Sequence, residues 1–507
     1  MMKSAARNFL AQALSLGISF FDRIVVVALL VRSLGVDAYA DWVSLGALAG
    51  LLGSAEFGVA FYFGNALQRA HATGDEAAFQ RLVGVALGVL GAVASAQALA
   101  AAILLSAVDL SRLATLRALS PEAATLCAAL LCAAVVSRIL RGGLVQIYRG
   151  RGQYARGALV DLVAVAAVSL SAALVALAGS GPTALALAAL VVDLVFGWGV
   201  VLIDIARRFG FLRLQPRAPH RAECDDMFAC LRWSALYQAC AGLLLWAPPL
   251  ILGAAGAPAA AVVAFTVMRT LVNLGRLASG MVVNAIAVEL TADVHLDRRA
   301  AIAGRVSQLG RFTAVATAVM AVAGLWYGAE ALLLWTGRAD LFERSVLAAL
   351  FAGAFAAAVA GPLQTLLAFA NAPRTAGLAA LVNAAIGLPL AAAGAAAFGA
   401  AGLAFGLAAG EVAASVVTLG PALAGRLPTP GGPYALRCIG AASASGLWCA
   451  AVATGLDAAP MAGAVGFAAR IAGFAVFAAV PALLLAVPVE VRRRLDGFLR
   501  ARVRGNR

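Results

Sequence analysis

From Phe9 almost to Pro488 the sequence is a succession of apolar runs, each roughly twenty residues long and parted from the next by a short polar break. Wound as an α-helix at about 1.5 Å per residue, such a run matches a hydrocarbon core about 30 Å thick. A soluble alternative fails on composition, because 63% of the 507 residues are apolar and 12% are charged. Soluble domains carry about twice that charged fraction. The fold class is therefore all-α, polytopic and membrane-embedded.

The runs and breaks predict helices near 9–31, 39–66, 82–107, 122–146, 157–178 and 183–205. After a basic connection come helices near 233–253, 259–287, 309–335, 346–370, 377–398 and 401–424, then two more near 435–456 and 462–487, about fourteen in all. The first run holds Asp22 and Arg23 and is not followed by a small-residue cleavage site, so it reads as a retained helix. Seven cysteines lie mostly inside predicted helices without paired zinc spacing, which reads as buried small hydrophobes. The only lysine is Lys3, so no Walker A motif exists and no cofactor is implied.

Arginines test the topology, since positive charge in short loops stays on the cytoplasmic side. With the N-terminus inside, that side collects Arg69 and Arg81, Arg149 to Arg156, Arg207 to Arg221, Arg298 to Arg305, Arg374, Arg426 and Arg437, and the tail from Arg492. The opposite side receives Arg32, Arg112, Arg117, Arg338 and Arg344. Both termini are therefore expected in the cytoplasm, and the net charge of +14 reflects topology and anionic lipid headgroups, with no nucleic-acid partner. The basic connection 207–232 divides a first set of six helices, 1–206, from a second set, 233–488. VRSLGVDAYADW closes the first helix much as ILGAAGAPAAAVV closes the seventh, an echo of the repeats found in secondary transporters.

External connections near 108–121, 179–182, 254–258, 336–345 and 457–461 are short and leave no room for an external catalytic domain. HExxH, GxSxG and clustered carboxylates are also missing, so transport is favoured over an enzyme such as a membrane-embedded polysaccharide polymerase or ligase. Function is then sought in charges at membrane depth, which cost at least about 2.5 kcal/mol unless they face a partner or a watery cavity. In AFTVMRTLVNLGRLASG, Arg269 lies about 15 Å and Arg276 about 25 Å from the helix start at Ala259, with Asn273 on the same face. Cavity lining and a structural ion pair both remain open for Arg269; for Arg276, snorkelling to the interface is a further reading. Arg138 and Arg141 in SRILRGGL also share a face, either as interfacial anchors or as a vestibule for an anionic headgroup. Arg470 reads as the partner of a neighbouring helix. Asp22, Glu56, Asp193 and Glu411 are each an ion-pair partner or a proton or sodium site, and the first three are favoured for ion coupling. Cationic pairs on two helices favour an anionic or phosphate-bearing substrate over a cationic drug.

LVRSLGVDAYADWVSLGALAGLLGSAEFGV resembles the first two helices of polysaccharide-repeat flippases, and NALQRAHATGDEAAFQRLV resembles the loop that follows them. FTVMRTLVNLGRLASGMVVNAIAVELTAD resembles their eighth helix, although Val288 stands before Glu289 where a proline is expected. The family is the Wzx-type O-antigen and exopolysaccharide repeat-unit flippases of the multidrug/oligosaccharidyl-lipid/polysaccharide exporter superfamily. The resemblance implies six-helix lobes at 1–206 and 233–424 around a central cavity, joined by a cytoplasmic linker at 207–232. Two additional helices at 425–488 and a basic tail at 489–507 complete the implied layout. It further implies alternating access in the inner membrane, with an undecaprenyl-diphosphate-linked oligosaccharide as cargo and an ion gradient as energy source. A polymerase and a chain-length regulator are the partners it suggests. Arg269 and Arg276 match the family's cationic cavity residues by position. A multidrug or cation antiporter of the same superfamily is the alternative.

Overall fold

The structure is a computed structural model that describes residues 14–56, 58–107, 110, 116–295, 299–369, 373–423, 431–458 and 463–481. Lys3, Arg112, Arg298, Arg426 and the tail 489–507 lie outside the described residues. Within them the secondary structure is helical, without strands. A π-helical turn, Phe21–Val26, leads into α1 (Val27–Ser54), followed by α2 (Val59–Ala72), α3 (Glu76–Ala107), α4 (Pro121–Gly150) and α5 (Tyr154–Leu177). Next, α6 (Pro182–Val192) passes through a second π-helical turn, Asp193–Trp198, into α7 (Gly199–Arg208). The remaining helices are α8 (Arg221–Ala254), α9 (Ala259–His295), α10 (Arg299–Thr336), α11 (Arg344–Phe369), α12 (Pro373–Leu423), α13 (Gly431–Asp457) and α14 (Gly463–Pro481).

Among the described residues, eleven helical stretches are long and apolar enough to cross a membrane. Two of them are interrupted: Gly35 at φ 78° breaks Leu14–Ser54, and Phe398 with Gly399 at φ 60° breaks Arg374–Gly420. With the shorter apolar helix Val465–Val480, these breaks give fourteen apolar helical segments among the described residues. Only glycine takes the left-handed backbone without strain, so both turns fall where the sequence supplies one. The second turn folds α12 into an antiparallel hairpin whose halves meet on glycines. A Cβ at Gly402 would lie 2.0 Å from the Gly394 carbonyl oxygen, and one at Gly406 would lie 2.2 Å from the Ala391 nitrogen. Gly402, Gly406 and Gly410 recur at four-residue spacing, the small-residue stripe by which helices approach closely where lipid supplies no hydrophobic drive.

The chain packs as two compact units, Met1–Thr266 and Val267–Arg507. The sequence division assigns helix 233–253 to the second set, whereas by packing it belongs to the first unit, where α8 lies against α1. The first unit is cored by Leu45, Cys127, Ala128 and Ala186 on one side and Leu67, Phe79, Ile147 and Tyr148 on the other. Its basic connection is ordered against α3. Gln80 and Arg213 exchange two hydrogen bonds, and the Arg217 amide donates to the Gly84 carbonyl at 2.8 Å. Arg81 grips Glu223 with two bonds of 2.9 Å, which holds that carboxyl below the usual range. In the second unit, α10, α11 and α13 share a core of Val306, Leu309, Leu363, Tyr434 and Cys438.

Candidate functional site

On α9, Arg269, Asn273 and Arg276 fall within a sector of about 60° around the helix, the polar stripe expected from their spacing. Phe265, Met268 and Val272 flank it and are fully packed, which fixes the helix face that carries the charges. Arg269 and Asn273 are partly exposed. Arg276 keeps 38% of its side chain exposed and meets Glu411, 23% exposed, in a fork: Nη1 and Nη2 donate to Oε1 at 2.9 Å and Nη2 donates to Oε2 at 2.7 Å. Glu411 lies on the returning half of α12, where Gly353 of α11 leaves room for its Cβ. Arg269 is within electrostatic reach of both Arg276 and Glu411. Two guanidiniums and a carboxylate thus sit together with open surface, where an anion can compete for the arginines.

The first unit holds a different arrangement. Arg141, 4% exposed, donates through Nη1 to Asp161 of α5 and through Nη2 to Asp193 Oδ1 at 3.1 Å. Asp193, 1% exposed, also accepts from Ser137 Oγ at 3.1 Å, and Ser137 in turn accepts from Trp198 Nε1 at 2.8 Å. Arg138 Nε stands 3.8 Å from Asp193 at the more exposed edge of the cluster. Gly197 makes the packing feasible, since a Cβ there would come within 3.1 Å of both Arg141 Nε and Asp193 Oδ1. The π-helical turn, with its extra residue per turn, sets Asp193, Gly197 and Trp198 against α4.

The other two coupling candidates fall at separate places. Asp22, in the first π-helical turn, accepts from Ser169 Oγ of α5 at 2.7 Å. Ser169 is eight residues beyond Asp161, so α5 carries one polar contact to the first π-helical turn and, about 12 Å away, another to Arg141 of α4. Glu56 sits in the break before α2 and accepts from the Ala60 amide at 2.8 Å, which caps that helix. Arg470 reaches Glu330 at 2.6 Å and Asp457 at 3.2 Å. Sequence reasoning missed Asp41, 1% exposed, which accepts from the amides of Arg117, Ala118 and Leu119 and pins the connection before α4. Its only signal was an acidic residue, in DAYADW, next to a long apolar run. Among the described residues, no three histidine, cysteine or acidic side chains converge as a metal site.

No family model matches the chain, and no curated protein matches it in sequence. Solved structures do. An inward-closed structure of the lipid II flippase MurJ is similar over 96% of this chain and 98% of its own, with a TM-score of 0.71 and 10% identity. An inward-facing multidrug-resistance MATE transporter of the MOP superfamily covers 78% of this chain and 92% of its own, with a TM-score of 0.68 and 15% identity. A MOP superfamily transporter from Pyrococcus furiosus, reported under the finding that its binding pocket has reversed polarity, has a TM-score of 0.57 at 15% identity and covers 82% and 94%. At these identities the likeness is one of fold. The chain shares its fold with these proteins, of which the multidrug-resistance MATE transporter is solved in both inward- and outward-facing conformations.

Proposed function

We propose that the chain is an exporter that moves an undecaprenyl-diphosphate-linked oligosaccharide repeat unit across the inner membrane by alternating access, in the manner of a Wzx-type flippase. The observation that carries this reading is the α9 stripe, where Arg276 is accessible and shares the Glu411 carboxylate with the field of Arg269. Guanidinium forks suit a diphosphate or an acidic sugar, and the Glu411 fork holds Arg276 in place until an anion takes it over. Likeness to MurJ, whose cargo is lipid-linked, supports the cargo class.

The arginine distribution supports cytoplasmic termini. Asp22 and Asp193 are the stronger candidates for ion coupling, because each sits on a π-helical turn where a change of protonation can reset the helix register. Glu56 is the weaker, since its carboxylate already serves as a cap. Arg138 and Arg141 contribute through the Asp193 cluster, and a polymerase and chain-length regulator are the expected downstream partners. A drug or cation antiporter, the reading that likeness to MATE transporters favours, needs a carboxylate-dominated site. Deleting the gene and measuring lipid-linked precursors separates the two. Complete repeat units should accumulate on the inner leaflet, whereas normal surface polysaccharide with altered drug sensitivity would favour the antiporter.

A further inference from the structure

A second basic site lies in the second unit, on helices that the α9 stripe does not use. Gly304, Ser307, Gln308 and Arg311 share one face of α10, and with Tyr434 and Arg437 of α13 they line a cavity of about 280 Å³. Among the described residues its lining holds two arginines and no carboxylate. Arg311 Nε is buried and has no hydrogen-bond partner, an arrangement that costs free energy unless something in the cavity completes it. One wall is rigid: Tyr434 donates to the Val359 carbonyl at 2.7 Å and lies across Gly310, where a Cβ would come within 2.2 Å of its hydroxyl.

Size and surroundings narrow the ligand. The cavity sits just below the roughly 300–1,000 Å³ of ordinary ligand sites, which suits one phosphate group with its ester carbons and not an oligosaccharide. Arg437 is exposed, and on the helix it falls between buried Tyr434 and Leu436, which is 71% exposed. Leu447, three turns beyond Leu436 on the same face, is 74% exposed, so the cavity mouth continues into a strip of apolar surface suited to acyl chains. On the orientation that the arginine distribution favours, this end of α10 and α13 faces the cytoplasmic leaflet, where basic pockets between helices meet anionic headgroups.

We propose that this cavity binds the phosphate group of an anionic phospholipid headgroup, held by Arg311 and Arg437 with the acyl chains along the exposed face of α13. The inference is independent of the cargo assigned above. It is tested on purified, delipidated full-length protein by native mass spectrometry during titration with phosphatidylglycerol, phosphatidylcholine, farnesyl diphosphate or inorganic phosphate. Phosphatidylglycerol binding should weaken by about ten-fold in R311Q/R437Q and by a smaller factor in R437Q, whose exposed side chain is dispensable for packing. It should be unchanged in R276Q, which alters the α9 stripe alone. Equal phosphatidylglycerol binding by wild type and both pocket variants would overturn the proposal. Displacement of the lipid by equimolar inorganic phosphate would overturn it as well, by making the ligand a free anion. A loss confined to farnesyl diphosphate would likewise overturn it, by making the cavity part of the cargo path.

Discussion

Arg141–Asp193 in the first unit and Arg276–Glu411 in the second are both arginine–carboxylate pairs between apolar helices, yet they differ in access. The first pair is 5% and 1% exposed and is tied further to Asp161 and Ser137, whereas the second is 38% and 23% exposed. A pair cut off from water stays intact because losing one partner strands the other charge. An open pair exchanges its partner for a ligand or water at little cost. Similar chemistry therefore fits a structural tie in one unit and the proposed anion capture in the other.

That contrast breaks most severely at Asp193. Asp193→Ala should destabilise the protein by about 3–5 kcal/mol, seen as a lower unfolding temperature in detergent. If Asp193→Ala unfolds at the wild-type temperature, the cluster is not a sealed network. Gly197→Ala is a milder probe of the same packing, because the new methyl must push against Arg141 and Asp193 at 3.1 Å. It should cost about 1–3 kcal/mol, with the shift absent when Arg141 is also shortened. Arg276→Ala should cost less than about 1 kcal/mol while lowering transport strongly, so stability and function come apart only in the second unit.

The smallest effect concerns Arg81–Glu223, an open pair of 30% and 26% exposure within the first unit. The hydrogen bonds from Arg81 hold the Glu223 carboxyl below its usual range, so its contribution is complete above about pH 4.3 and is lost as pH falls through the folded value. Glu223→Gln should lower stability at neutral pH by less than about 1 kcal/mol, the contribution of an open pair, and flatten the acid limb of the stability profile to match. A large neutral-pH loss would show that exposure does not set the cost of breaking a pair in this protein.

Helix number, the α12 break and the α9 stripe were legible because they depend on local periodicity: run length, a glycine at the turn, and charges seven residues apart. Partners were not. Asp161 and Asp193 reach Arg141 from 20 and 52 residues away, and Asp41 caps amides 76 to 78 residues downstream, distances over which spacing carries no signal. The π-helical turns that aim Asp22 and Asp193 were equally hidden, because one extra residue per turn leaves an all-apolar sequence unchanged in pattern. Glu56 looked like a deep acid because the helix end at Ser54 and the restart at Val59 fall inside a continuous apolar run of the sequence. The boundary of the first unit at Thr266 follows the packing of α8 on α1, whereas the basic connection that marks 207–232 in the sequence lies folded against α3.

Capture of an anionic, lipid-linked cargo by the α9 arginines is the proposal on which the functional reading rests. It is tested most directly by restoring the deleted gene as wild type, Arg269→Lys and Arg269→Ala at matched abundance, and quantifying lipid-linked repeat units on each leaflet. Inner-leaflet accumulation is expected with Arg269→Ala and partial export with Arg269→Lys, which keeps the charge but loses the fork. Wild-type export by both variants would contradict it.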